Sequence, residues 1–243
     1  VTPRAPAAAW AVAAVAALGL GGCGEAPSTS APGTPVPLVT RADVVAVHML
    51  PGAGGAEATG VRVGRGRVLT VAHALPASAR PGRATVARTG WPPRRARLTA
   101  RDDVADLAVL TTDRVAVVPV GPGAAPAPGP RDRTPAPAPA AQGGTDRGWR
   151  VLLRREGRVV DRAAPLRRPI SASVAAPGSG TGGRRPTLEL ALRAEPGDSG
   201  APVIDRRGRL VGVLFAVSED RAGTAYAVTA APAVPLLRTA TGG

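Results

Sequence analysis

The stretch Pro196-Gly197-Asp198-Ser199-Gly200-Ala201-Pro202 sets a serine between two glycines, in a run of turn formers that suits neither a helix nor a strand interior. Glycine at 197 frees the backbone to turn so that the amides of Gly197 and Ser199 point into one small space. Two N–H groups so placed form an oxyanion hole, which stabilises the negative charge that develops on a carbonyl oxygen under attack. Taken alone, Gly-Asp-Ser-Gly also suits any tight turn. Its meaning depends on what the rest of the chain brings to it.

A serine hydroxyl becomes a useful nucleophile when a base takes its proton and a carboxylate orients that base. The chain has only two histidines. His73 follows Val68-Leu69-Thr70-Val71-Ala72 and reads as the end of a strand, where an imidazole reaches a cleft. His48, inside Val47-His48-Met49, reads as a packed or half-exposed strand residue. Asp106 stands at the entry to the apolar run Leu107-Ala108-Val109-Leu110, whereas Asp102 and Asp103 fall in a charged turn open to water. A carboxylate must be shielded to act strongly on an imidazole, which favours Asp106. Singly, each of these residues also fits a structural role. Together they occur in the chain order His73, Asp106, Ser199.

The segments LTVAHAL (69–75), DVADLAVL (103–110) and PGDSGAPVID (196–205) resemble the three motifs of trypsin-like serine proteases. The stretches Thr59-Gly60-Val61-Arg62-Val63, Gly212-Val213-Leu214-Phe215-Ala216 and Thr224-Ala225-Tyr226-Ala227-Val228 are similar to bacterial members, most of all the actinobacterial periplasmic acid-resistance type. The resemblance covers residues 41–238. It implies an all-β fold of two antiparallel six-stranded β-barrels with the active site in the crevice between them. It also implies that His73 and Asp106 come from the first barrel and Ser199 from the second. Phe215, Ala216 and Val217 would then pair with the substrate backbone and, with Ala225, wall the primary specificity pocket. Arg193 stands where a trypsin-like chain keeps its pocket-floor residue, while Ala216 and Ala225 point to a pocket lined by small apolar groups. The implied partner is a polypeptide substrate, with no cofactor and no metal. Two positions depart from the family pattern: Ala201 replaces a common glycine, and Asp198 in trypsin itself receives the new N-terminus after activation.

Composition agrees with a β fold. Of the 243 residues 44% are hydrophobic but only 2% aromatic, and 31 Gly and 27 Pro punctuate a chain rich in Ala, Val and Leu. Short Val-rich strands separated by turns follow from that mixture. Strand signals lie at Val44–Val47, in two runs within Thr59–Ala72 joined by a Gly-Arg-Gly turn, and at Ala84–Ala87, Ala96–Ala100, Ala105–Thr111 and Val115–Val120. They resume at Trp149–Leu153, Val159–Val160, Ile170–Val174, Leu188–Leu192, Leu210–Phe215 and Thr224–Val228, with a short helical turn near Pro232–Arg238. The expected organisation is a first barrel over 41–121, a Pro/Ala-rich connection over 122–148, a second barrel over 149–238 and a tail over 239–243.

The N-terminus reads as an address. Arg4 precedes the apolar run Ala7–Leu20, which is too short for a comfortable span of about 20 residues but suits a signal-peptide core. Leu20-Gly21-Gly22-Cys23 then resembles the lipobox of bacterial lipoproteins, in which the cysteine thiol takes a diacylglyceryl group. Residues 1–22 are therefore expected to be a signal peptide, and 23–40 a lipidated Cys23 with a Pro/Ser/Thr-rich tether. At about 3.1 Å per residue the tether reaches up to ~50 Å from a membrane. With the only cysteine used in this way no disulfide forms. The expected location is the outer face of the bacterial cytoplasmic membrane.

The net charge of +14 comes entirely from arginine on the basic side. The arginines are scattered, with no interleaved aromatic residues to stack on bases, so nucleic acid is not an expected partner. Few residues follow the last strand signal, so no peptide-binding accessory domain is expected there, and the protein is expected to be monomeric. Two other classes compete with the endopeptidase reading. A catalytically silent binding module with the same fold would lack competent residues at one of the three positions, and here all three are occupied. An α/β-hydrolase esterase needs Gly-x-Ser-x-Gly and the order Ser, Asp, His, but position 201 is Ala and the order differs.

Overall fold

The computed structural model describes residues 38–49, 57–64, 66–75, 84–112, 148–174 and 183–240. The signal segment, Cys23, most of the tether, the Val115–Val120 run, most of the 122–148 connection and most of the tail lie outside the described residues.

In the first half, β1 (Val44–Met49), β2 (Glu57–Arg62), β3 (Arg67–Val71), β4 (Ala84–Ala87), β5 (Arg94–Asp102) and β6 (Leu107–Thr112) close into an antiparallel barrel in the order β1-β2-β3-β6-β5-β4. Strand alternation divides its apolar residues between two faces. Val45, Val47, Met49, Val68 and Leu110 fill the barrel interior, while Val44, Val61, Leu69, Val71, Leu107 and Val109 turn outward. The outward set is equally buried, because Leu152, Leu210, Val213 and Val228 of the second half pack over it. Strands apolar on both faces are thus what a barrel pressed against a neighbour requires.

The second half carries β7 (Arg150–Arg155), β8 (Arg158–Ala163), β9 (Leu166–Val174), β10 (Gly183–Ala191), β11 (Pro202–Ile204), β12 (Leu210–Val217) and β13 (Thr224–Thr229). Their order is β8-β7-β11-β12-β13-β10-β9, so the two edges of the sheet are consecutive in the chain. Only Ala164 and Pro165 separate them. Ala164 N–H still donates to Trp149 O at 2.9 Å on the β7 side, and Pro165 O already accepts from Ala191 N–H at 2.9 Å on the β10 side. Proline has no N–H to continue the first ladder, and the strand changes partner there. Residues 158–174 are one bent strand that closes the second barrel covalently, and the expected count of six holds with this strand read as a whole. Its interior holds Val151, Leu153, Leu190, Val203 and Leu214.

Both ends of the described chain tie the halves together. Helix α1 (Ala233–Thr239) buries Ala233 and Leu236 in the seam, and Arg67 Nη1 donates to Leu237 O at 3.0 Å. Val39 was assigned by sequence to the tether. It is buried in the same seam, and its N–H donates to Gly208 O at 2.8 Å. Leu38 also bridges to Arg209, so residues ahead of 41 take part in the fold.

Candidate active site

His73 follows β3, and Asp106 ends the turn between β5 and β6. The β3–β6 ladder sets Val71 opposite Leu107, and Ala72 N–H donates to Asp106 O at 3.0 Å, so the two side chains emerge together. Asp106 has φ +57°, a left-handed conformation that aspartate tolerates better than bulkier residues. That twist turns its carboxylate back on His73. Oδ1 accepts the His73 backbone N–H at 2.8 Å and Oδ2 meets Nδ1 at 2.7 Å. Asp106 is buried, while the His73 side chain keeps 36% of its surface exposed. One imidazole edge is anchored and the other faces the cleft. Asp102 uses Oδ1 to cap Ala105 N–H at 2.9 Å, and Asp103 is exposed and paired with Arg101 at 2.6 Å, so neither competes for His73. His48 lies half-buried in β1.

The Ser199 loop stands on the second barrel and is fastened to the first. Gly200 N–H donates to Leu214 O of β12 at 2.7 Å, and Ala201 accepts from Leu214 N–H at 2.9 Å. Across the cleft, Thr59 N–H of β2 donates to Ser199 O at 2.8 Å and Thr59 Oγ1 donates to Gly197 O at 2.8 Å. Thr70 Oγ1 in turn donates to Thr59 O at 2.7 Å. The approach is so close that a Cβ at Gly200, whose φ is +92°, would stand 1.7 Å from Thr59 O. Only glycine fits there.

The amides of the loop are used selectively. Asp198 N–H donates to Glu195 O, Gly200 N–H to Leu214 O and Ala201 N–H to Asp198 O. Among the described residues the amides of Gly197 and Ser199 have no protein acceptor. These are the two donors that the sequence assigned to an oxyanion hole. No hydrogen bond joins Ser199 to His73 among the described residues. Such bonds are often long in a substrate-free site and shorten in the Michaelis complex.

Beneath the loop, Asp198 is fully buried and gripped by Arg155 of β7. Nη2 donates to Oδ2 at 2.7 Å, Nη1 contacts Oδ1, and Glu195 N–H adds a 2.7 Å bond to Oδ2. The hydrogen bond to Asp198 holds the Arg155 guanidinium above its ordinary pKa against the opposing effect of burial. A cation within the chain thus occupies the place that the resemblance gives to a cleaved N-terminus.

Of the four residues expected at the specificity pocket, Val217 lines a cavity of about 270 Å³ with Arg193, Ala194, Ser218, Glu219 and Gly223. Ala216 is half-buried against the seam, while Phe215 packs in the seam and Ala225 is fully buried in the second barrel. Sequence reasoning named Thr59 only as part of a stretch, and it passed over Arg155 and Arg185. Arg155 and Arg185 are indistinguishable in sequence from the other arginines. The described residues contain no cluster of His, Cys, Asp and Glu that could hold a metal ion.

Solved structures are similar to this chain in fold. The active form of the Rv3671c protease from M. tuberculosis has a TM-score of 0.62 at 23% identity, covering 87% of this chain and 94% of that one. Its inactive form gives 0.61 at 26% identity, covering 84% and 91%. The MamO protease domain from Magnetospirillum magneticum gives 0.55 at 19% identity, covering 80% and 95%, a likeness of fold. No curated protein matches the sequence. The family model for the trypsin-like peptidase domain matches residues 58–213, more than half of the chain, and on that match the chain belongs to the trypsin-like peptidase family.

Proposed function

We propose that the protein is a serine endopeptidase in which Ser199 is the nucleophile, His73 the general base and Asp106 the orienting carboxylate. The supporting observation is the two-point grip of Asp106 on His73, at 2.8 and 2.7 Å, beside a serine loop whose Gly197 and Ser199 amides are free. His73 Nε2 takes the Ser199 proton as Oγ attacks the peptide carbonyl carbon. The carbonyl oxygen becomes negatively charged, and the Gly197 and Ser199 amides stabilise it. Collapse breaks the C–N bond, His73 returns the proton to the departing amine, and an acyl-serine remains. Water then attacks that ester by the same route in reverse, releasing the acid and restoring Ser199.

Asp106 keeps the imidazole in the tautomer with its proton on Nδ1 and stabilises the imidazolium formed during each attack. Val217 and its neighbours at the end of β12 offer a wall for the substrate chain. Because Arg155 already neutralises Asp198, loop assembly needs no ammonium group from a cleaved N-terminus.

The same reading makes the protein an exported lipoprotein, held to the outer face of the cytoplasmic membrane through Cys23. The apolar Ala7–Leu20 run and the small residues before Cys23 support that part. The test of the activity is turnover of an unstructured polypeptide by the wild type and by Ser199→Ala, which is expected to lose roughly 10⁴-fold or more. Equal, negligible turnover by both would overturn the proposal.

A further inference from the structure

Arg185 is an arginine in an unusual place. It lies on β10 of the second barrel, yet its side chain is only 5% exposed and its Nη1 stands 3.4 Å from Asp106 Oδ2 in the first. Its guanidinium carbon sits 4.6 Å from the centroid of the Phe215 ring. Nε and Nη1 are buried without a hydrogen-bond partner. Donors on a charged group are costly to bury unsatisfied, so a site that keeps them invites a functional explanation. Burial lowers the Arg185 pKa from its ordinary value while Asp106 works to raise it. Even a lowered guanidinium stays charged across the working pH range.

Resting on the peptidase reading above, we propose that Arg185 is a positioning residue for the His73–Asp106 pair, a fixed cation supplied by the second barrel to the carboxylate. Oδ2 is shared by His73 Nδ1 at 2.7 Å and Arg185 Nη1 at 3.4 Å. When His73 is neutral, as it must be to accept the Ser199 proton, Arg185 is the nearest cation to Asp106. It sets a fixed positive charge beside the carboxylate oxygen that also meets the imidazole.

The other charges around the pair are otherwise engaged. Arg101 is bonded to Asp103 at 2.6 Å and to Leu75 O at 2.7 Å, and Asp198 is neutralised by Arg155; Asp102, which caps Ala105, adds a smaller attraction to that of Asp106 on Arg185. No other described element places a charged partner on Asp106. Phe215 lies against the guanidinium, a contact favourable to a cation.

The test compares wild type with Arg185→Met and Arg185→Lys by the rate of Ser199 labelling with a fluorophosphonate between pH 5 and 9, with thermal melts as a control for folding. Removing a cation near a carboxylate–imidazole pair favours its protonated form. The acid limb of Arg185→Met is therefore expected to move up by about one pH unit, roughly tenfold in rate well below the midpoint. Arg185→Lys should restore most of that displacement. A parallel loss at every pH, or no change in the limb, would reduce Arg185 to a packing residue. A wild type that fails to label at all would instead overturn the peptidase reading itself, so the two failures are distinguishable.

Discussion

Thr59 and Gly197 come from opposite barrels and are joined by a 2.8 Å hydrogen bond from Thr59 Oγ1 to the Gly197 carbonyl. With the Thr59 N–H bond to Ser199 O, this residue holds both ends of the segment whose Gly197 and Ser199 amides have no acceptor among the described residues. Thr59→Val keeps the shape and the N–H but removes the hydroxyl. The loss of one such hydrogen bond costs about 1 kcal/mol of stability. With Gly197 and Ser199 as the proposed oxyanion donors, kcat is expected to fall about tenfold with KM little changed, measured on a peptide ester. Equal changes in both constants would argue against a role in the loop.

Gly200→Ala tests the closeness of the barrels at this point. The added Cβ would meet the Thr59 carbonyl oxygen at 1.7 Å in a backbone with φ +92°. The atom met is a backbone oxygen, which cannot rotate away as a side chain could. The variant should lose several kcal/mol in urea unfolding, and its activity with it.

Arg155→Met would leave the Asp198 carboxylate buried and unpaired. Breaking a buried pair from one side costs about 3–5 kcal/mol. The double variant Arg155→Met/Asp198→Asn removes both charges and should recover a large part of that loss. Chemical denaturation of the three proteins decides the matter, and additive losses would show that the pair is not coupled.

Asp205 gives the stability a pH dependence. Burial works to raise its pKa, but the backbone N–H and guanidinium of Arg209 and the backbone N–H of Arg207 outweigh burial and hold it below the ordinary carboxylate range. A depressed folded-state value stabilises the fold in full above the unfolded pKa of about 3.9, and that contribution fades as pH falls through the folded value. Asp205→Asn should therefore melt lower than the wild type at pH 7, with the gap closing toward pH 2. A gap independent of pH would point to lost hydrogen bonds alone.

Sequence carried most of the architecture because Val-rich alternation and Gly/Pro punctuation are local. Strands such as β1, β4 and β13 fall where the pattern put them. The three-residue β11 has no periodicity to show, and the partner change at Pro165 is a property of the sheet rather than of its own residues. His73, Asp106 and the serine loop were legible because their motifs are local too. Arg185 and Arg155 were not. Their importance lies in which carboxylate each meets across the fold, and among so many arginines nothing in the chain singles them out. Phe215 in the seam and Ala225 inside the second barrel were not legible for a similar reason, since the face a strand residue presents depends on its pairing register. The register shifts between Leu214 and Ala216.

The most direct measurement is mass-spectrometric mapping of a fluorophosphonate adduct on the folded protein at neutral pH. A single adduct on Ser199, absent from Ser199→Ala and strongly reduced in His73→Ala, is the predicted result. A folded preparation that carries no adduct, or carries it on another serine, would contradict the assignment of Ser199 as a nucleophile activated by His73 and Asp106.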